Sequence, residues 1–490
     1  MRTPSIRQQA IYDKFDNSTE NILIEAVAGS GKTTVLLEIV KRCDYRVLYV
    51  AFNKSIQIEV QEHLIRENLN QGKAMTMHSL GLLAIRKKYG KFKLNNSKNF
   101  EIIRLVRSSK KQLFDEVPIA DRMKLTYMLM DMNDISRIYL TVNIDEIKER
   151  MVAMDKPCIS HRHLRALWLE VLKYRDMFYK RTVIEIDFID MIFIPVHESL
   201  HIPIKATYLL TDECQDLNGA QHQLLNNLIN QGDIERWVSA GDRNQSIYGF
   251  SGSHESSFDL FKEKDNVIEL PLDICYRLPV DVLIEANKVY DVMQGFKTNP
   301  GNVGEITDCI HIKDDSMVIC RNTAPLIELY FQLIGLRKTV YIKGEDIMGK
   351  IVKAIKPFKK NRIEYILDNM FDEMESLKDS EDKWDNIRRY KLEENRSMIK
   401  NLVLGGFVKP FDKGQDLLDN ISELFDDKDG GIILCTIHKS KGLEHPVVYI
   451  LNENLIPSKY AKSSQQQKQE KNLKYVARTR ASEELYYLNL

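Results

Sequence analysis

Paired cysteines are missing from this sequence. Cys43, Cys158, Cys214, Cys275, Cys309, Cys320 and Cys435 are scattered over 490 residues, and no two form a CxxC pair. That pattern excludes a disulfide framework and the common zinc modules. Cys158, His161 and His163 sit close together, but a metal site needs a second half-site and none follows. The thiols therefore read as small, half-buried side chains in a reducing compartment. Long apolar runs are missing too. No stretch reaches about 18 apolar residues, so no membrane span is expected. The first residues, Met1-Arg2-Thr3-Pro4-Ser5, lead into a polar helix pattern without the apolar core of a secretory signal. The expectation is an intracellular, cytoplasmic protein. A charge excess is also absent, since Lys+Arg and Asp+Glu both number 70. This argues against a uniformly basic surface but leaves room for a local basic groove.

What is present is a doubly repeated rhythm of strands and helices. The length predicts about two to four compact units. Short β-branched runs read as buried parallel strands at Ile22–Ala26, Val47–Phe52, Tyr208–Thr211 and Trp237–Ala240. A second set reads at Met317–Cys320, Ile432–Cys435, Val447–Leu451 and Leu485–Leu488. Strands alternating with helical stretches give an α/β fold class, with two doubly wound parallel-sheet domains. Two mainly helical stretches interrupt the rhythm and read as insertions, one in each domain. The expected boundaries are 1–85 and 185–273 for the first domain and 86–184 for its insertion. The second domain takes 274–345 and 430–490, and 346–429 is its smaller insertion. The Ser/Gln/Lys-rich stretch Tyr460–Lys471 reads as an exposed loop.

The segment Ala26-Val27-Ala28-Gly29-Ser30-Gly31-Lys32-Thr33-Thr34 follows a strand and opens a helix, the setting a phosphate-binding loop requires. Backbone N–H groups of Ala28, Gly29, Ser30, Gly31 and Thr34 can wrap phosphates at a positive helix N-terminus. Lys32 can reach the β- and γ-phosphates of ATP, and the Thr33 hydroxyl can ligate Mg²⁺. Ala26 stands where the first glycine of the pattern usually is. A second apolar strand ends in Asp212 and Glu213. Adjacent acids at the carboxyl end of a parallel strand suit Mg²⁺ binding by Asp212 and activation of water by Glu213.

The pattern goes beyond an ATPase. Asp212-Glu213-Cys214-Gln215-Asp216 has Gln221 following it, and Gly241-Asp242-Arg243-Asn244-Gln245-Ser246-Ile247-Tyr248-Gly249-Phe250 comes next. Tyr276-Arg277, Thr436–Glu444 and Tyr475–Ala481 stand further on, in that order. These segments resemble the DExQD, GDxxQSIYxW and later motifs of the UvrD/Rep/PcrA group of superfamily 1 helicases, in the same order. The resemblance implies two RecA-like domains. It implies that Gln8 reads adenine, Tyr276 stacks on the base, and Gly442 and Glu444 line the nucleotide, with Glu444 on the ribose. Arg277 and Arg480 would reach the γ-phosphate, and Gln245 would couple phosphate to DNA. Phe52, Asn53, His78, Tyr248, Phe250 and His438 would line a single-strand channel. Phe250 replaces the usual Trp, and Ser251 stands where Arg is frequent.

The resemblance also implies 3′→5′ movement on single-stranded DNA and action at single/double-strand junctions. The expected protein is a monomer, nucleoid-associated if cellular, with any protein partner unidentified. Two other readings stay open: a translocase that displaces proteins, and a DNA-stimulated ATPase subunit acting as a switch for a nuclease or a repair or replication partner. The basic, aromatic cluster Arg86–Lys93 reads either as a solvated helix end or as a DNA contact.

Overall fold

A computed structural model describes residues 3–490, apart from 155, 157, 160, 250, 251, 253–256, 381, 382, 423–429 and 460. The side chains of 119, 120, 345–347, 383 and 384 are likewise not described. The chain forms two compact units, Met1–Asp273 and Ile274–Leu490. No helix among the described residues is long and apolar enough to cross a membrane.

The first unit has eight strands: β1 (Asn21–Ala26), β2 (Val47–Ala51), β3 (Gly72–Thr76), β4 (Phe92–Leu94), β5 (Ile184–Ile186), β6 (Tyr208–Thr211), β7 (Arg236–Gly241) and β8 (Val267–Leu272). Six form one parallel sheet in the order β3-β2-β6-β7-β1-β8. Every residue of β2 and β7 is buried, as expected of interior strands covered by helices on both faces. On one face Ile11, Val35, Val40 and Leu64 pack against the sheet; on the other, Leu80, Leu224, Leu228 and Phe261. The four interior strands match the runs read from sequence. The two edges, β3 and β8, were not anticipated. Gly72 and Lys73 dilute the first, Glu269 and Pro271 the second, and edge strands are only half buried.

Residues between β4 and β5 build a helical body with its own core, including Phe114, Met128, Trp168 and Phe178. The parallel pairing of β4 with β5 ties together the chain's exit and return. The helix Met77–Tyr89 runs unbroken through residue 86, so no linker separates the sheet domain from the start of this body.

The second unit contains β9 (Ile274–Cys275), β10 (Gln294–Gly295), β11 (Asn302–Ile306), β12 (Met317–Cys320), β13 (Val340–Ile342), β14 (Ile432–Thr436), β15 (His445–Leu451) and β16 (Ala481–Leu488). Its six-stranded parallel sheet has the order β11-β16-β15-β12-β14-β13. Again the interior strands were legible and the edges, β11 and β13, were not. The smaller helical insertion shares its core with this sheet domain: Ile351, Ile366, Met398 and Leu402 join Leu326 and Leu333 in one cluster. It is a thickening of the domain rather than a separate body.

One expectation fails. Most of the stretch expected to be an exposed loop, Tyr460–Lys471, belongs to the helix Ser464–Arg478; Tyr460 itself lies outside the described residues. Ser463 caps the helix: its side chain accepts from the Gln466 N–H (3.2 Å), and Gln466 Oε1 accepts from the Ser463 N–H (3.0 Å). This capping box, together with the helix-forming Gln, Lys and Glu residues, outweighs the polar composition that suggested a loop.

Candidate active site

β1 delivers the phosphate-type loop. Gly29 (φ +69°) and Gly31 (φ +83°) hold left-handed backbone that other residues adopt only with strain. Gly31 caps the helix Lys32–Arg42 without a side chain, leaving its first N–H groups for an anion. Ser30 Oγ donates to the Val27 carbonyl (2.8 Å), closing the loop on itself. Gln8 reaches the same loop: a Cβ on Gly31 would lie 3.6 Å from its Nε2.

The parallel register puts the ends of β6 and β7 beside this loop. Lys32 is buried, with Nζ 3.7 Å from Glu213 Oε1. Thr33 Oγ1 donates to Asp212 Oδ2 (3.1 Å). The same carboxylate oxygen accepts from the buried Tyr49 hydroxyl of β2 (2.7 Å). Burial, reinforced by the neighbouring Glu213, pushes the Asp212 carboxyl up; Lys32 opposes the shift. Glu213 occupies left-handed backbone (φ +52°), which costs a non-glycine residue about 1–2 kcal/mol. It aims its carboxylate at Lys32 and at Gln215 Nε2 (2.5 Å).

Gln215 links this pair to β7, because its Oε1 accepts from the Asp242 N–H (3.0 Å). Gln245 Nε2 donates to Asp242 Oδ2 (2.7 Å). A continuous polar path thus runs Glu213–Gln215–Asp242–Gln245. Gly241 is required beneath it, since a Cβ there would come within 2.6 Å of Gln215 Oε1 and 2.7 Å of Cys214 Sγ. Gln221 takes a different part: it completes a capping box with Asn218.

Flat side chains stand at the same end of the sheet. Phe52, just past β2, stacks on Tyr248 (centroids 5.5 Å, 20°). His78, just past β3, stacks on Phe188 (3.8 Å, 23°), a residue that is 60% exposed. Burial depresses the His78 pKa to about 4, so the ring is neutral near pH 7. Asn53 caps the helix Lys54–Arg66 through Oδ1, which accepts from the Ile56 N–H (2.9 Å). Phe250 and Ser251 lie outside the described residues.

In the second unit β15 and β16 start side by side, pairing His445 with Ala481. This sets Glu444 beside Thr479 and Arg480. Arg277 Nε lies 2.5 Å from Glu444 Oε2, and its Nη1 donates to the Thr479 carbonyl (3.2 Å). Arg480 is 1% exposed and donates to the carbonyls of Val476 (2.9 Å) and Leu443 (3.2 Å). Gly442 has φ +84°, and the ring of Tyr276 lies 4.8 Å from that of Phe296. His438 is apart from this group. It follows β14, whose last residue, Thr436, is level with Cys320, as is Leu451 at the far end of β15. Burial first, then Arg321 and Lys350, lower its pKa to about 3.

A family model described as the UvrD/REP helicase N-terminal domain matches residues 7–266, and one described as the UvrD-like helicase C-terminal domain matches 338–489. The chain belongs to the UvrD/Rep helicase family. ATP-dependent DNA helicase Rep of Buchnera aphidicola (subsp. Acyrthosiphon pisum) is 26% identical over 54% of this chain and 42% of its own length. Rep of Escherichia coli is 26% identical over 59% of this chain and 43% of its own. F-box DNA helicase protein 1 of Schizosaccharomyces pombe is 24% identical over 98% of this chain and 56% of its own. The chain thus spans about half the length of the curated relatives it matches. Tyr276 and Arg277 fall between the two segments matched to the UvrD/Rep models, and the contacts of Arg277 with Glu444 and Thr479 join it to the second.

Sequence reading missed three contributors to this UvrD/Rep-type arrangement. Tyr49 sits in an apolar strand, where nothing marks its hydroxyl as reaching Asp212. Phe188 lies in Asp187-Phe188-Ile189-Asp190, where its exposure is invisible in sequence. Arg243 bonds Glu25 (2.8 Å) and Asp259 (2.5 Å), fastening the loop before Gln245 to β1 and to the helix Ser257–Lys262. The basic cluster is partly engaged within the fold: Tyr89 donates to Glu198 (2.6 Å) and Lys93 lies 3.9 Å from Glu185.

Proposed function

We propose that this protein is an ATP-dependent DNA helicase and translocase that moves 3′→5′ on single-stranded DNA and opens duplexes at junctions. The observation carrying this reading is the polar path from Lys32 through Glu213, Gln215 and Asp242 to Gln245. It connects a phosphate loop with the strand end that also bears Tyr248 and its stacked partner Phe52. Hydrolysis state and grip on a base can be coupled through such a connection.

In this reading Ala28, Gly29, Ser30, Gly31, Lys32 and Thr34 hold the ATP phosphates. Gln8 faces adenine, Tyr276 stacks on it, and Gly442 and Glu444 border the ribose. Glu213 orients the attacking water and accepts its proton. Arg277 and Arg480 sense the γ-phosphate and offset its transition-state charge. Thr33 and Asp212 offer a hydroxyl and a carboxylate 3.1 Å apart, a hard oxygen pair suited to Mg²⁺. Thr33 and Asp212 would hold the ion, and the chemistry it would supply there is positive charge offsetting that of the phosphates. Phe52, Asn53, His78, Tyr248, Phe250 and His438 are assigned to the strand; stacking tolerates any base, as a sliding motor requires. Residues 1–85 with 185–273, and 274–345 with 430–490, are taken as the two motor domains. Residues 86–184 and 346–429 are their insertions.

Partial duplexes with a 3′ or a 5′ single-stranded tail test this directly. Unwinding of the 3′-tailed substrate alone, in the presence of ATP, is the expected result. Preference for the 5′ tail would overturn the direction, and release of neither strand would overturn the helicase reading.

A further inference from the structure

The chain is neutral overall, yet from Lys459 to Arg478 six residues are basic and one is acidic. That carboxylate, Glu470, is held by Arg321 (2.8 Å) and by the Ser458 N–H (2.9 Å). The helix Ser464–Arg478 places Lys468, Lys471 and Lys474 at intervals of three, so they share one face. They line a groove of about 590 Å³ floored by Ile456 and Pro457. Lys471 Nζ lies 4.2 Å from the centre of the Tyr290 ring, whose hydroxyl donates to Asn472 (2.8 Å). Lys474 pairs with Glu453 (3.1 Å), which Arg478 also binds (2.9 Å). Lys468 and Lys471 are exposed. Among the described residues, neither has a carboxylate within ion-pair distance.

We propose that this groove is a phosphate rail for single-stranded nucleic acid, distinct from the aromatic positions assigned above. The inference rests on the reading that a single strand is the track. Successive lysines rise about 4.5 Å along the helix axis, and the exposed, flexible side chains of Lys468 and Lys471 can follow a backbone bearing one charge per nucleotide. Lysines act as mobile point charges and impose no base or register, which a strand that slides requires. The apolar floor and the Tyr290 ring form a wall for sugars and base edges. A neutral chain thereby acquires a local basic path without a uniformly positive surface.

The test is binding of a fluorescent oligothymidylate across a series of NaCl concentrations, comparing the natural chain with Lys468→Gln/Lys471→Gln. Removing two phosphate contacts should make the log–log salt slope shallower by about 1.4, at roughly 0.7 per contact for a single strand. Affinity at low salt should fall about tenfold. Lys468→Arg/Lys471→Arg should restore the natural slope, which a merely structural role would not require, and circular dichroism checks that each variant is folded. If the natural chain binds with a salt-dependent slope and the Gln variant keeps it, the rail is wrong and the helicase reading stands. If the natural chain shows no binding of the oligonucleotide, both fall.

Discussion

The Asp212 carboxylate shows how much of the site depends on single side chains. It is fully enclosed, next to Glu213, and holds its geometry through Thr33 and Tyr49. Thr33 could be picked out from its place after Lys32. Tyr49 could not, because a tyrosine in a buried apolar strand looks like core. Tyr49→Phe deletes one hydrogen bond worth about 1 kcal/mol and leaves the ring. The Mg²⁺ concentration for half-maximal ATP hydrolysis should then rise about fivefold, while the denaturation midpoint falls by no more than that one bond accounts for. An unchanged Mg²⁺ requirement would remove Tyr49 from the site. His78 and His438 carry a second prediction. Burial lowers their folded pKa values from 6.5 to about 4 and about 3. Between those values and 6.5 the unfolded chain binds more protons than the folded one, so stability falls as pH drops below about 6.5. The urea midpoint should decrease from pH 7 to pH 5, and less steeply in His78→Gln; an equal slope in that variant would show that His78 contributes nothing to it.

At the scale of elements, the interior strands β1, β2, β6 and β7, and their counterparts β12, β14, β15 and β16, were legible because burial on both faces favours short, mostly apolar runs. The edges β3, β8 and β11 were not, since they are only partly buried and carry charged or turn-forming residues, and β13 was not because it is only three residues long. The first half of the helix Ser464–Arg478, to Lys471, was mistaken for a loop because its polar residues dominate the composition. A second hidden element is the buried ionic junction between the first insertion and the sheet domain. Arg137 donates to Asp187 (2.7 Å) and Asp190 (2.8 Å), Tyr179 donates to Asp190 (2.6 Å), and Lys98 pairs with Asp190. Burial pushes the Asp190 carboxyl up, but Arg137 and Lys98 outweigh it and hold it near 2. The turn they fix, Asp187 to Asp190, carries Phe188 out to His78. Asp190→Asn leaves two buried cations short of a partner and should cost about 3–5 kcal/mol, read as a lowered denaturant midpoint. A loss under 1 kcal/mol would mean that water relieves the junction.

For the whole molecule, the candidate site residues from Gln8 to Arg480 follow the order of the motifs they resemble and are spread over two units of the same architecture. What sequence could not supply is which members meet. Arg277, Glu444 and Arg480 come together because β15 and β16 start in register, whereas His438 lies at the other end of that sheet. The central claim is that strand contact and ATP hydrolysis are one process. Steady-state ATP hydrolysis, measured with and without single-stranded DNA, tests it most directly. Strong stimulation by DNA is expected, with Lys32→Ala and Glu213→Gln both abolishing turnover and Glu213→Gln still binding nucleotide. Hydrolysis that proceeds equally with and without DNA, or that survives Glu213→Gln, would contradict the account.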